Sequence, residues 1–275
     1  MSVNPFNSAA ICLLVLVVCG CDRGQPTSPV STTPEQGTSG VPAADFAATK
    51  KDAESGDAKA QASLGVMYAK GDGVPQDYAE AVKWFRLAAD QGEAKGQNGL
   101  GLMYANGDGV PQNYAEAVKW YRLAAKQGDA TAQYNLGVMY NNGQGVPQDS
   151  VEGERLLRLA ADQGHAEAQT DLGYAYYYGD GGLPQDYAEA VKWYRLAADQ
   201  GFAIPRFNLA VMYANGLGVP QDYVEAYAWS SVAAAGGIEQ AVDYRDSIVG
   251  KLTPEQLAEA QKRATELFEK TSSKQ

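Results

Sequence analysis

The chain alternates two helical patterns of apolar residues. From Ala58 to Lys70, Ala60, Leu64, Met67, Tyr68 and Gly71 stand at i, i+4, i+7, i+8 and i+11, which predicts a helix with one inward face. Gly71-Asp72-Gly73-Val74-Pro75 stops it, glycine supplying a left-handed cap and proline forbidding continuation. A second stripe, Ala81, Trp84, Phe85, Ala88 and Ala89, predicts a second helix that ends at Gln91-Gly92. Asp77 suits its N-cap, and Glu80 three residues on predicts a capping box. Period-two alternation is missing throughout, so no sheet is expected.

This unit recurs. Val-Pro-Gln begins at Val74, Val110, Val146 and Val219, and the fourth copy reads Leu183-Pro184-Gln185. Prolines at 75, 111, 147, 184 and 220 set spacings of 36, 36, 37 and 36 residues, the longer one carrying an extra glycine in Gly179-Asp180-Gly181-Gly182. The copies are assigned to 57–92, 93–128, 129–164, 165–201 and 202–237. A single hairpin leaves an apolar face bare, and stacked neighbours cover one another, as solenoids do. The predicted fold is therefore all-α: stacked helix-turn-helix repeats, about five full ones plus terminal caps. Mid-helix Gly65, Gly101, Gly137 and Gly173 predict close helix approach, with Ala81, Ala117 and Ala190 facing them and Ala210 replacing the glycine in copy five. Copy three departs at Ser150, Gly153 and Leu156, so its second helix is expected to pack less tightly. Residues 43–56 read as a partial N-terminal repeat. Residues 238–275 read as capping helices, with Thr253-Pro254-Glu255-Gln256 another capping box.

Ala60, Leu64, Gly65, Tyr68, Gly71, Gly73, Val74, Asp77, Ala81, Trp84, Ala88, Ala89 and Gly92 together resemble the Sel-one-like repeats, relatives of the tetratricopeptide repeats. The resemblance covers residues 46 to 270. It implies a right-handed α-solenoid whose first helices line a concave surface that binds proteins or peptides, a non-catalytic scaffold. Cysteine-rich secreted members are linked to penicillin binding, but their disulfide cysteines are missing here. An envelope enzyme, a peptidoglycan- or β-lactam-binding protein and a structural spacer stand as alternatives.

The N-terminus reads as an address. Ala9 to Val18 is an apolar run, too short to span a bilayer and suited to a signal peptide over residues 1–20. Val18-Cys19-Gly20-Cys21 resembles a bacterial lipobox, which implies acylation of Cys21, although residues 1 to 20 hold no Lys or Arg. Residues 21–42, rich in Pro, Ser, Thr and Gly, are expected to form a disordered linker. A chain exported across the inner membrane and held by lipid in the envelope, facing the periplasm, is the expectation.

Net charge is −11, which argues against nucleic acid as a partner. The three cysteines fall at 12, 19 and 21, so the repeats have no cysteine for a disulfide or a metal site. His165, the one histidine, occupies a helix start where other copies carry Asp57, Glu93 or Asp129, and reads as surface variation. Ser-x-x-Lys, His-Glu-x-x-His and Gly-x-Ser-x-Gly do not occur, and no catalytic residue, cofactor or metal is assigned. Binding is expected where copies differ, on the outward face of the first helices: Lys95, Asn106, Asn135, Asn142, Asp171, Tyr174, Tyr178, Asn208 and Asn215. Asparagine pairs with a peptide backbone as donor and acceptor, and tyrosine gives a rigid amphipathic anchor. The expected partner is a protein or extended peptide, bound by a monomer.

Overall fold

The computed structural model describes residues 43–272, which form thirteen α-helices; no strand occurs among the described residues. The signal peptide, Cys21 and the linker lie outside them. Helix α1 (Ala43–Glu54) precedes five hairpins: α2 (Ala58–Lys70) with α3 (Tyr78–Asp90), α4 (Ala94–Asn106) with α5 (Tyr114–Lys126), α6 (Ala130–Asn142) with α7 (Ser150–Asp162), α8 (Ala166–Tyr178) with α9 (Tyr187–Asp199), and α10 (Ala203–Asn215) with α11 (Tyr223–Ala235). Helices α12 (Glu239–Val249) and α13 (Pro254–Ser272) follow. Each hairpin packs on the next in chain order, giving an all-α solenoid.

Local chemistry sets the helix ends. Asp77 Oδ1 accepts from the Glu80 amide at 2.9 Å, and Asn113, Asp149, Asp186 and Asp222 cap the later second helices likewise. The predicted reciprocal bond does not form in these five. The Asp77 amide donates to the Tyr68 carbonyl at 2.9 Å, so Glu80 is released to pair with Lys83. The cap donor is spent on closing the loop between the two helices of the hairpin. Among the described residues only Thr253 and Gln256 make the full box, each amide donating to the other's side chain at 3.0 and 3.3 Å.

Within and between hairpins, the bonds of one buried glutamine in each of copies one to four repeat with the fold. Gln61 donates to the Ala53 carbonyl at 3.1 Å and accepts from Gln91 at 2.7 Å. Gln97 with Gln127, Gln133 with Gln163 and Gln169 with Gln200 repeat the arrangement. The bond to the preceding unit's carbonyl bridges consecutive units, the glutamine–glutamine bond closes the hairpin itself, and together they satisfy an amide that burial would otherwise penalise. Copy five keeps the job with another residue: the buried Arg206 donates to the Ala198 carbonyl at 3.2 Å. A second ladder joins Arg86 to the Tyr104 hydroxyl, Arg122 to Tyr140, Arg158 to Tyr176 and Arg195 to Tyr213.

The mid-helix glycines are places of close approach, but rings rather than alanines face three of the four, and Gly137 meets the Gly153 carbonyl with Leu156 and Leu157. A Cβ on Gly101 would stand 2.7 Å from the Tyr121 ring, and Phe85 and Tyr194 cover Gly65 and Gly173 in the same way. Copy three, expected to be looser, buries its second helix all the same and leaves a cleft beside Leu156. Leu156 is 4% exposed and Leu157 is buried beside it. Asn141 fills the space freed by Gly153, where a Cβ would collide with its Oδ1.

The C-terminal cap does more than continue the stack. Helix α13 packs on α11 and reaches α9. Arg263 pairs with Glu225 at 2.6 Å, Lys270 with Asp199 at 2.8 Å, and Leu267 is buried. The second helices of copies one to four each expose a leucine (Leu87, Leu123, Leu159, Leu196), whereas Val232, the equivalent in α11, is 1% exposed.

Candidate functional site

The stack divides each first helix into a repeated inward face and a varied outward one. On α2, Lys59, Ser63, Val66 and Lys70 are exposed. On α4, Lys95, Leu102 and Asn106 are exposed, but Gly99 is buried against the Phe85 ring and so falls off the stripe. On α6, Thr131 and Asn142 are exposed, while Asn135 and Val138 are half-buried. Asn135 donates its amide to Asn98 Oδ1 at 3.2 Å, tying α6 to α4.

Helix α8 carries the densest group. Its sequence AEAQTDLGYAYYY puts Tyr174 and Tyr178 one turn apart, ring centroids 4.6 Å from each other. Tyr177 packs edge-on to Tyr178 at 4.8 Å and to Tyr187 of α9 at 5.2 Å. Such tilted and edge-on contacts suit aromatic quadrupoles and hold the rings with little rotamer freedom. Tyr178 remains 39% exposed.

Asp171, one turn before Tyr174, is half-buried and receives a hydrogen bond from Tyr134 of α6. Burial, only partly offset by that bond, pushes its pKa up to about 6, and the nearby Glu167 adds to the rise. Tyr134 also stacks on His165, 4.7 Å between centroids and 23° between planes. His165 is therefore not mere surface variation. Its Nδ1 accepts from the Ala168 amide at 3.4 Å, capping α8 as Asp57 and Asp129 cap α2 and α6. Burial lowers its pKa, against the pull of Glu167 and Asp129. The recurrence of Asp57 and Asp129 at this position was the signal for a cap.

The predicted residues thus fall into groups. Asp171, Tyr174 and Tyr178 come together on α8, with Tyr134, Tyr177, His165 and Tyr187 beside them, a set that pattern reading had not assembled. Asn142 and Asn106 close the ends of α6 and α4, Asn106 donating to Asp108 at 3.0 Å. Lys95 stands alone near the start of α4. Asn208 is half-buried, and Asn215 turns back on the Val211 carbonyl at 2.7 Å and meets Tyr244 of α12. The face is exposed throughout copy one, interrupted by buried or half-buried positions in copies two to four, and half-buried along copy five, where Asn215 meets α12. Among the described residues no group of His, Cys, Asp or Glu is placed to hold a metal ion, and no helix is long and apolar enough to cross a membrane. Phenol rings, amides and one shielded carboxylate are groups for recognition, able to stack and to exchange hydrogen bonds with a polypeptide.

Comparison with known proteins agrees with this architecture. The family model described as Sel1 repeat matches residues 58–93, 94–129, 130–165, 166–202 and 206–238. A protective antigen of uropathogenic Escherichia coli displaying an SLR fold superposes with a TM-score of 0.69 at 39% identity, over 83% of this chain and 48% of that one. A Sel1 repeat protein from Oxalobacter formigenes gives 0.70 at 36% identity, over 74% of this chain and 58% of its own. The chain thus spans about half the length of these two relatives. No curated protein matches it.

Proposed function

The chain belongs to the Sel1 repeat family, a helical repeat scaffold commonly used for protein interaction, and from that premise we propose that it is a non-catalytic, envelope-tethered scaffold that holds an extended peptide along its first-helix face. The observation that carries the reading is the aromatic group on α8. Interior positions repeat from copy to copy because stacking requires it, while Asp171, Tyr174 and Tyr178 serve no stripe of the repeat. Rigid phenols beside a shielded carboxylate give a peptide an apolar anchor and a hydrogen-bonding edge at little entropic cost. Asn142 on the neighbouring α6 adds an amide suited to a peptide backbone.

Tethering rests on the lipobox resemblance, with Cys21 as the acylated residue and the following Pro/Ser/Thr/Gly-rich segment as a spacer to the repeats. In this reading the scaffold gathers partners at the periplasmic side of a membrane. The test is crosslinking in intact cells followed by mass spectrometry. Asn142→Ala and Tyr174→Ala are expected to weaken capture of the same partner with unchanged helicity by circular dichroism. Undiminished capture by both variants rejects the face.

A further inference from the structure

The second helices carry a separate feature, in copy three. Four of the five second helices hold a tryptophan at one position: Trp84, Trp120, Trp193 and Trp229. Trp120 packs back onto the buried cluster that holds Val82 and Phe85 of the preceding second helix, and Trp193 onto the one that holds Leu157. The indole nitrogens of Trp84 and Trp193 are buried without an acceptor, although each residue as a whole stays half-buried. In α7 the position is Leu156. It packs on the same kind of surface, with Ala117, Val118, Tyr121 and Leu136, but a leucine is shorter than an indole. A cleft of about 340 Å³ remains between α5 and α7, floored by α6.

A second departure, in the neighbouring copy, meets it there. The last residue of the second helix is Asp90, Asp162 and Asp199 in copies one, three and four, and Lys126 in copy two. Lys126 lies on the cleft with Arg122, Arg155 and a single carboxylate, Glu152. Glu152 is taken by Arg155 through two bonds of 2.7 Å, Arg122 spends one donor on the Tyr140 hydroxyl, and Lys126 makes no ion pair among the described residues. A chain of net charge −11 therefore has a locally cationic rim around an apolar floor of Leu136 and Leu156. The lost indole and the reversed charge are 30 residues apart in sequence and converge on one cleft.

We propose that this cleft is a second peptide site, distinct from the first-helix face, which takes one aromatic side chain of an acidic segment. The ring occupies the place an indole fills in the sister copies, and flanking carboxylates meet Lys126 and the free donors of Arg122. The volume fits one ring with its adjoining backbone, at the small end of ligand sites, which run from about 300 to 1,000 Å³. Charge complementarity selects acidic neighbours and makes binding salt-dependent.

The test is fluorescence anisotropy of a labelled pentapeptide, Asp-Glu-Trp-Glu-Asp, titrated with the full chain. Saturable binding with a Kd of about 1–100 μM that weakens with salt is expected. Leu156→Trp and Lys126→Asp restore residues found at these positions in the other copies, and each is expected to weaken binding about tenfold or more. Replacing the peptide tryptophan by alanine is expected to do the same on the unaltered protein. Asp90→Lys, where Trp120 already fills the gap, leaves affinity unchanged. The proposal is overturned if nothing binds up to about 1 mM, or if the alanine peptide or the Leu156→Trp protein binds as well as the original pair. A dimer seen by light scattering and dissociated by Leu156→Trp assigns the cleft to a second copy instead, and also overturns it.

Discussion

Gly101 lies under the ring of Tyr121, so close that an added Cβ would stand 2.7 Å from the ring edge. The first and second helices of each hairpin are held together at this spot, and the chain solves the same contact in a different way in copy five. There Ala210 takes the glycine's place and the buried Ser230 takes the ring's. A glycine under a ring has given way to an alanine in register with a serine.

It follows that Gly101→Ala forces the ring or the helix to shift and lowers stability by about 1–3 kcal/mol. Urea denaturation measures this. Ala210→Gly, by contrast, loses only about 0.5–1 kcal/mol, the helical cost of glycine. Equal losses at the two sites contradict the packing account.

The glutamine ladder predicts another loss. Gln169 donates to the Ala161 carbonyl at 3.0 Å and accepts from Gln200 at 2.8 Å. Gln169→Leu keeps the volume but leaves the Ala161 carbonyl without its donor in a buried seam, for a loss of about 1–3 kcal/mol. Gln169→Arg, imitating Arg206, is expected to recover part of it by donating to the same carbonyl. A thermal melt compares the three proteins.

Asp171 gives a pH dependence with a definite sign. Its folded pKa stands at about 6, above the ordinary 3.8, so the folded state holds this proton more tightly than the unfolded chain. Its contribution to stability is full below 3.8 and is lost as pH rises through about 6. Asp171→Asn, which keeps an acceptor for Tyr134, should therefore stabilise by roughly 1–3 kcal/mol near pH 8 and by little near pH 4. The lowered pKa of His165 works in the opposite direction, its contribution being lost as pH falls below 6.5. The comparison between variants isolates the aspartate. A gain at low pH only would contradict the assignment.

The fold was legible because periodicity, caps and glycine-proline turns all repeat, and the solenoid follows from any one copy together with its neighbours. The site was less legible. A face can be read from spacing, which brought Asp171, Tyr174 and Tyr178 into view. Contacts between units cannot, so Tyr134 and His165 were missed, and Asn135 and Asn215 were counted as open although each bonds within the fold. The Asp77–Glu80 box failed for a similar reason, since the Tyr68 carbonyl that competes for the cap amide lies nine residues back, across the turn.

Helix α13 predicts its own consequence. Truncation after Lys251 removes the cover from Val232 and breaks the Arg263–Glu225 and Lys270–Asp199 pairs. The shortened protein should unfold earlier and bind a hydrophobic dye, with copies one to three retaining their amide-exchange protection. Loss of protection in all copies at once would mean that the stack is one cooperative unit rather than a chain of neighbour contacts.

The peptide-holding face is tested most directly by photo-crosslinking in living cells from a reactive amino acid placed at position 178, beside Tyr174, and from another at position 151, where Val151 is 73% exposed on the second-helix side. The account predicts a discrete adduct from 178 that Tyr174→Ala diminishes, and none of the same mass from 151. Adducts of equal yield from both positions, or none from 178, contradict it.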